Sequence, residues 1–138
     1  MKIIKITNQN IYYLENFLNK LVDGKQQFRY YNTRSLNIIS NHVATLILQD
    51  KNKLVCYGHL DFDGDKTWLG ICTADDSKGK GYGLRMMNEL INVVKQKKLK
   101  VIYLTVDNDN KIAQHLYKKL GFKPDKNYDL FTRYKFTL

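Results

Sequence analysis

The sequence predicts a single α/β domain of the mixed (α+β) type that spans residues 1–138. Three observations support this fold class. The chain opens with a strand and an amphipathic helix, continues with three strand candidates joined by short turns, and then alternates between helices and strands. This order predicts a mixed central sheet, antiparallel in its N-terminal part, with helices on its faces. No linker, repeat or low-complexity segment divides the chain.

The first half supplies one strand, one helix and a three-strand meander. KIIKIT is typical of a strand, and the next segment, residues 11–22, has a helical apolar stripe of Ile11, Leu14, Leu18, Leu21 and Val22. The strand candidates VATLILQ, KLVCYGHLDF and KTWLGICTA are separated by DKN and DGDK, which are turn sequences. We therefore expect three consecutive antiparallel strands.

The second half changes from the strand period to the helical period. GLRMMNELINVVKQ predicts a helix whose apolar face holds Leu84, Met87, Leu90, Ile91 and Val94. KVIYLTV predicts a strand. NKIAQHLYKKLGF predicts a further helix with Ile112, Ala113, Leu116 and Leu120 inward, and DLFTRYKFTL predicts a closing strand.

Composition narrows the classes of partner. The net charge of +10 suits an anionic partner, but its lysine clusters are typical of solvated helix ends and turns, and no nucleic-acid-binding motif accompanies them. No apolar run reaches the roughly 18 residues of a membrane span, and the N-terminus does not resemble a secretory signal. We therefore expect a cytoplasmic protein without a nucleic-acid or membrane partner. Cys56 and Cys72 are expected to be reduced core thiols rather than a disulfide or metal pair.

The segment SKGKGYGLRMM combines alternating glycines with the start of a helix. Bare backbone at a helix N-terminus favours phosphate binding, because main-chain N–H groups and the positive end of the helix dipole are exposed there. Met86 stands where a dinucleotide-binding fingerprint needs its third glycine, and the Walker A sequence is missing. A turn that only closes a loop is the alternative interpretation.

Two elements of the sequence together resemble the GNAT superfamily of acetyl-CoA-dependent N-acyltransferases. TWLGICTADDSKGKGYGLRMMNELI resembles the superfamily's strand, glycine loop and helix, and LTVDNDNKIAQHLYKKLGF resembles its following strand and helix. Within them the matching positions are Gly81, Gly83, Asn110, Ala113, Leu116, Tyr117, Lys119, Gly121 and Phe122. Lys78 stands where the superfamily has Gln or Arg, and Asp75 where many members have proline.

The resemblance implies acetyl-CoA as co-substrate and no metal. Backbone N–H groups near Gly79–Gly83 would hold the coenzyme A diphosphate, and two central strands would splay so that pantetheine bonds to the main chain at Ile71 and Thr73. The other cofactor-binding candidates are Lys78, Lys80, Tyr82, Asn110 and Tyr117.

The resemblance also implies direct attack of an amine on the thioester. Tyr117 matches the superfamily's usual general acid, and a tyrosine with an ordinary pKa near 10 is protonated at pH 7. The strand Trp68–Thr73 carries no carboxylate base. Because side chains alternate between the two faces of a strand, Tyr57, His59 and Asp61 are expected on one face of the preceding strand. His59 is therefore a candidate base or substrate-orienting group with Asp61 near it. A structural histidine is the alternative. No functional role is expected of His42, at the start of a strand, or of His115, on the polar face of its helix.

The acceptor is expected to be a small amine. Deprotonating a lysine-like amine at pH 7 costs roughly 4 to 5 kcal/mol, whereas a sugar amine titrates lower and needs less help from a base. The missing carboxylate therefore favours an amino sugar, and the positive charge suits one linked to a nucleotide. The segments FRYY, YGHLD and WLGI more loosely resemble superfamily members that act on amino sugars, including nucleotide-linked 4-amino-4,6-dideoxyhexoses. The candidate acceptor-binding residues are Arg29, Tyr30, Tyr31, His59, Asp61 and Trp68.

Other functions remain open at this point. A protein N-terminal or lysine acetyltransferase is the rival within the enzyme class, and a non-catalytic acetyl-CoA-binding module is the rival outside it. The sequence leaves a homodimer open.

Overall fold

The computed structural model describes residues 1–21 and 30–138. In chain order these residues form β1 (Lys2–Lys5), α1 (Tyr12–Lys20), β2 (His42–Asp50), β3 (Lys53–Asp63), β4 (Lys66–Thr73), α2 (Tyr82–Gln96), β5 (Val101–Asp107), α3 (Lys111–Lys119), β6 (Lys123–Asn127) and β7 (Phe131–Thr137). Short 3-10 helices cover Tyr30–Asn32, Leu36–Asn41 and Asp75–Ser77.

The strands described form one mixed sheet in the order β1-β2-β3-β4-β5-β7-β6. β1 to β4 are antiparallel neighbours, as the short turns predict, whereas β4 and β5 run parallel. α2 supplies the crossover between β4 and β5, because parallel strands cannot be joined by a tight turn. The predicted fold class is confirmed.

Two apolar cores lie on opposite faces of this sheet. On one face, residues of α2 and α3 such as Met86, Leu90 and Tyr117 pack against Leu60 and Leu104. On the other face, α1 contributes Leu14 and Phe17, which pack with Tyr57, Ile47 and Cys72. We call these the α2/α3 face and the α1 face. Because successive side chains of a strand point to opposite sides of the sheet, alternate residues lie on the two faces.

The structure corrects three details of the predicted elements. Leu84 and Ile112 are 39% and 87% exposed, and the place of Leu84 in the apolar face of α2 is taken by Met86. The strand β6 was not predicted, because its sequence KPDKN is exposed throughout and has no apolar alternation. α1 covers Tyr12–Lys20, shorter than the predicted segment, and Val22 lies outside the described residues.

Both cysteines are free and buried, as predicted. Burial raises the pKa of each thiol to about 12, which makes thiolate chemistry unfavourable at neutral pH. None of the helices that the structure describes has the length and apolar character needed to span a bilayer.

Candidate active site

The glycine loop is open at the start of α2. Gly81 is the N-cap residue with φ 83° and ψ 6°, a left-handed conformation that favours glycine. Gly79 and Gly81 are exposed, and an added Cβ at either residue would meet no described atom within 4 Å. Among the described residues, no hydrogen bond uses the N–H groups of Gly79, Gly81, Tyr82 or Gly83. These donors and the helix dipole are therefore available to an anionic diphosphate.

The side chains around this loop have more varied partners. Lys78 and Lys80 are exposed, and the Lys78 ammonium lies 4.0 Å from the Asp75 carboxylate. The Tyr82 hydroxyl donates a hydrogen bond to Asp50 at the end of β2, so this side chain ties α2 to the sheet. Asn110 uses its Oδ1 to accept a hydrogen bond from the N–H of Ala113 at 3.2 Å, and it thereby caps α3.

β4 and β5 separate beyond a single register pair, Trp68 with Tyr103. The Ala74 N–H bonds to Val55 O of β3 at 2.9 Å. Because main-chain groups in an antiparallel ladder alternate between the two neighbours, those of Ile71 and Thr73 point away from β3 and into the gap. No ladder pair of the described residues bridges the gap at these positions. A pantetheine amide chain is the type of group that such a strand edge binds.

Tyr117 lies on α3 and belongs to the core on the α2/α3 face. Its ring is buried, with 7% of the residue exposed, and within the described chain its hydroxyl has no hydrogen-bond partner. No described side-chain polar atom is both fully buried and without a partner, so this hydroxyl is not sealed off from solvent. Burial raises the pKa of Tyr117 above its ordinary value, and the Cys56 and Cys72 thiols raise it further. The phenol therefore keeps its proton at neutral pH.

The α1 face carries a hydrogen-bonded cluster of aromatic, histidine and acidic side chains. The Tyr30 hydroxyl donates to Asp61 Oδ2 at 2.8 Å and lies 2.7 Å from His42 Nε2, while His42 Nδ1 lies 2.8 Å from Thr45 Oγ1. A second chain of bonds runs from Tyr31 to Tyr57 and on to His59 Nδ1, the last at 2.7 Å. We call these seven residues the polar cluster.

His59 is enclosed within the polar cluster. It is 2% exposed, its ring centroid lies 4.3 Å from that of Tyr30 and 4.6 Å from that of His42, and it lies against the backbone of Gly70. Burial lowers the pKa of His59 well below its ordinary value, and the neighbouring His42 and Arg34 lower it further. The imidazole is therefore neutral at pH 7, and it is a poor proton acceptor.

A cross-strand row connects the polar cluster to the gap. His42 of β2 is opposite Asp61 of β3, Asp61 is opposite Trp68 of β4, and Trp68 is opposite Tyr103 of β5. Directly opposite residues point to the same face of a sheet, so these four side chains share the α1 face. The Trp68 and Tyr103 ring centroids are 5.6 Å apart. The row thus ends where β4 and β5 part.

The structure brings most of the predicted acceptor-site residues together. Tyr30, Tyr31, His59 and Asp61 belong to the polar cluster, and Trp68 continues the row, whereas Arg29 lies outside the described residues. Sequence reasoning missed the part that His42 and Tyr103 play. His42 was expected to be structural, and only the strand alternation of KVIYLTV pointed to Tyr103. His115 is exposed on α3, as expected of a surface residue.

Comparison with solved structures supports the assignment of the fold. The chain aligns over 100% of its length with a ribosomal-protein-alanine N-acetyltransferase from Brucella melitensis, with 16% identity, a TM-score of 0.81 and 100% of that chain covered. The PaiA N-acetyltransferase from Thermoplasma acidophilum, solved with coenzyme A, gives 15% identity and a TM-score of 0.76, with 99% and 98% of the two chains covered.

The protein yncA from Salmonella typhimurium, solved with its cofactor acetyl-CoA, gives 15% identity and a TM-score of 0.77, with 100% and 94% of the two chains covered. At these identities the likeness shows the fold alone. No curated protein sequence matches the chain significantly.

The family itself is shown by a sequence model. The model of the acetyltransferase (GNAT) family matches residues 9–122, which include α1, the polar cluster, the glycine loop and α3. The open loop and the parted strands described above fit its co-substrate, acetyl-CoA. Among the described residues, no group of three or more His, Cys, Asp or Glu side chains is arranged to hold a metal. The chain belongs to the acetyltransferase (GNAT) family and is an acetyl-CoA-dependent N-acetyltransferase.

Proposed function

We propose that this enzyme acetylates a small primary amine that binds on the α1 face, and that the acceptor is an amino sugar, such as a 4-amino-4,6-dideoxyhexose linked to a nucleotide. The observation that carries the proposal is the gap between β4 and β5, at whose edge the row from His42 to Tyr103 ends on the α1 face. In this proposal Tyr117, a residue of the core on the α2/α3 face, serves the gap from the other side. The two reactants then approach the acetyl carbon from opposite faces of the sheet.

Residues of the glycine loop and of the gap bind different parts of acetyl-CoA. N–H groups of residues 79–83 bind the diphosphate, with Lys78 and Lys80 near its charge, and the main chain of Ile71 and Thr73 binds pantetheine. The neutral amine attacks the thioester carbon, solvent water takes up the proton that the amine then loses, and the carbon–sulfur bond breaks. Tyr117 donates its proton to the departing sulfur, so that coenzyme A leaves as the thiol.

Two features of the α1 face support a sugar nucleotide as acceptor. Trp68 and Tyr103 offer aromatic surface on which a sugar ring or base can stack. Beyond them lie cations: the Lys66 ammonium and the Arg133 guanidinium are 5.7 and 5.3 Å from the centroid of the Tyr103 ring, and Lys135 is opposite Tyr103 on β7. Arg133 is paired with Asp125 and Lys66 with Asp65, whereas Lys135 forms no salt bridge with the described residues. Such cations suit the phosphates of a nucleotide.

His59 is assigned the orienting role among those that the sequence left open. A neutral, enclosed imidazole is poorly placed to remove a proton from a bound amine, but it keeps Tyr30 and Tyr57 in position through ring contacts and a hydrogen bond. A low-pKa amine on a sugar reduces the need for a strong base, which is consistent with this assignment.

A protein N-terminal amine is the second candidate acceptor. Structures similar to this chain include ribosomal-protein-alanine N-acetyltransferases from Brucella melitensis and Escherichia coli. A panel of nucleotide-linked amino sugars and N-terminal alanine peptides, with release of the coenzyme A thiol as the readout, separates the two. Thiol release with peptides alone would overturn the amino-sugar acceptor.

Tyr117→Phe tests the catalytic assignment. We expect kcat to fall about 100-fold or more, within the range for a lost general acid, with little change in the Kd of acetyl-CoA. Tyr134→Phe is the matched control, because Tyr134 is a buried tyrosine of the same core, 6.5 Å from Tyr117 between ring centroids. Unchanged turnover in Tyr117→Phe would remove its role as the acid.

A further inference from the structure

We propose that Asp61 binds the reacting amine as an ammonium ion, beside Trp68 on the neighbouring strand. The inference deepens the proposed function, on which it rests, because it names the acceptor's amine end as a cation and gives that cation a site. It also predicts that a neutral molecule of the same shape binds poorly.

The Asp61 carboxylate has one hydrogen bond and no cation in the described part of the chain. Its Oδ2 accepts the bond from the Tyr30 hydroxyl, and no Lys, Arg or His nitrogen of the described residues forms a salt bridge with it. The nearby cation Arg34 is used elsewhere: its guanidinium lies 4.2 Å from the centroid of the Tyr30 ring and donates to Tyr30 O at 2.9 Å. Asp61 Oδ1 therefore has capacity for an additional donor.

Asp61 is located where it can bind an ammonium ion close to the reacting thioester. It is half-buried, where an ion pair is screened less than on an open surface, and the strand next to it carries Trp68, the last residue of β4 paired with β5. Neighbouring strands are about 4.8 Å apart, so an amine at Asp61 lies about one strand spacing from β4, the strand that borders the gap.

The groups around Asp61 suit an ammonium ion in particular. Cations bind over aromatic faces, most favourably over tryptophan, and Trp68 lies directly opposite Asp61 on the same face of the sheet. The Tyr30 hydroxyl, fixed by Asp61 and His42, holds the carboxylate in one orientation. The ammonium must lose its proton before attack, and the lower pKa of a sugar amine makes that loss less costly.

Trp68 provides a direct readout, because it is the one tryptophan of the sequence. We would titrate the protein without acetyl-CoA with cyclohexylammonium chloride at constant ionic strength and follow Trp68 emission, using cyclohexanol as the neutral molecule of similar shape. We expect a saturable change with the cation and none with the alcohol. Saturation at equal concentrations by both, or by neither, would overturn the proposal.

Asp61→Asn removes the charge and keeps an oxygen that can accept the Tyr30 hydrogen bond. We expect cyclohexylammonium to bind about 10- to 100-fold more weakly, the usual effect of losing a hydrogen bond to a charged group. Asp63→Asn is the matched control on the exposed end of β3 and should leave binding unchanged. Equal binding by Asp61→Asn and the wild-type protein would refute the site.

The assay separates this inference from the proposed function. Binding that depends on Asp61 without thiol release for any amine would keep the ammonium site and remove the acceptor proposal. If the wild-type protein releases thiol but its Trp68 emission does not respond to the cation, the acceptor proposal is kept and the ammonium site is removed. The cyclohexanol comparison uses the unmodified protein, so it decides the role of charge even when Asp61→Asn folds poorly.

Discussion

Replacing Gly70 by alanine tests whether the polar cluster is packed as described. A Cβ at this position would lie 2.5 Å from His59 Cε1 and 2.7 Å from His59 Nε2. The imidazole has little room to move away, because it is 2% exposed, bonded to the Tyr57 hydroxyl and in ring contact with Tyr30 and His42. The added methyl group must therefore displace either the ring or the strand.

The free energy of unfolding should fall by about 1 to 3 kcal/mol in Gly70→Ala. Overpacking costs about 1–3 kcal/mol, and a displaced ring loses a hydrogen bond of about 1 kcal/mol. Alanine also reduces the conformational entropy of the unfolded chain, which offsets about 0.4–1 kcal/mol. The clash term is the largest of these, and the three atoms nearest to the added Cβ all belong to His59.

Urea unfolding of four proteins checks this reasoning: the wild type, Gly70→Ala, His59→Ala and the double variant. In the His59→Ala background the alanine at position 70 should cost nothing, so the coupling energy should be at least about 1 kcal/mol, as expected for residues in contact. Gly83→Ala is the control, because its Cβ would come no closer than 3.7 Å to Leu116 and Thr73. A Gly70→Ala protein as stable as the wild type, or a coupling near zero, would refute the packing of His59 on Gly70.

Two further predictions concern the glycine loop and the pH dependence of stability. Gly81→Val should weaken acetyl-CoA binding at least about 10-fold in calorimetry, because a β-branched residue strains the left-handed conformation that orients the N–H groups of the loop. Gly64→Val is the control: it imposes similar strain at φ 66° in the β3–β4 turn and should leave the affinity unchanged. Equal affinity in the Gly81 variant would argue against the loop as the diphosphate site. When the pH falls from 7.5 to 5.5, His59 should lower the unfolding free energy of the wild-type protein by about 1.4 kcal/mol. The reason is that the imidazole takes up a proton near pH 6.5 in the unfolded chain, whereas in the folded protein, where its pKa is lowered, it does not. The loss of unfolding free energy over this pH interval should be smaller in His59→Gln than in the wild type by the same amount. If the unfolding free energies of the two proteins change with pH in parallel, the burial of His59 is contradicted.

The elements that the sequence predicted well are those with a strong apolar period. β3 is an example, since alternation correctly assigned Tyr57, His59 and Asp61 to one face and Leu60 to the other. β6 has no such period because its side chains are exposed, and it exists through its pairing with β7. Exposed Ile112 shows the converse: an apolar residue in the right register of a short helix is not buried unless another element covers it.

The candidate site divides in the same way. The loop and Tyr117 lie in contiguous segments whose order in the chain is enough to recognise them. The row from His42 to Tyr103 depends on the register of four strands, and a shift of one residue in any of them would turn its side chain to the other face. Register arises from packing and turn geometry across the whole sheet, so the role of His42 was not predictable from its own neighbours.

The parted strands have a consequence for how this protein can be re-engineered. In the proposed arrangement the coenzyme binds in the gap and at the glycine loop, and the amine binds on the α1 face, so the two specificities would depend on separate sets of side chains. Libraries restricted to Tyr30, Trp68 and Tyr103 can therefore search for new amine substrates while every contact to the acyl donor is left intact.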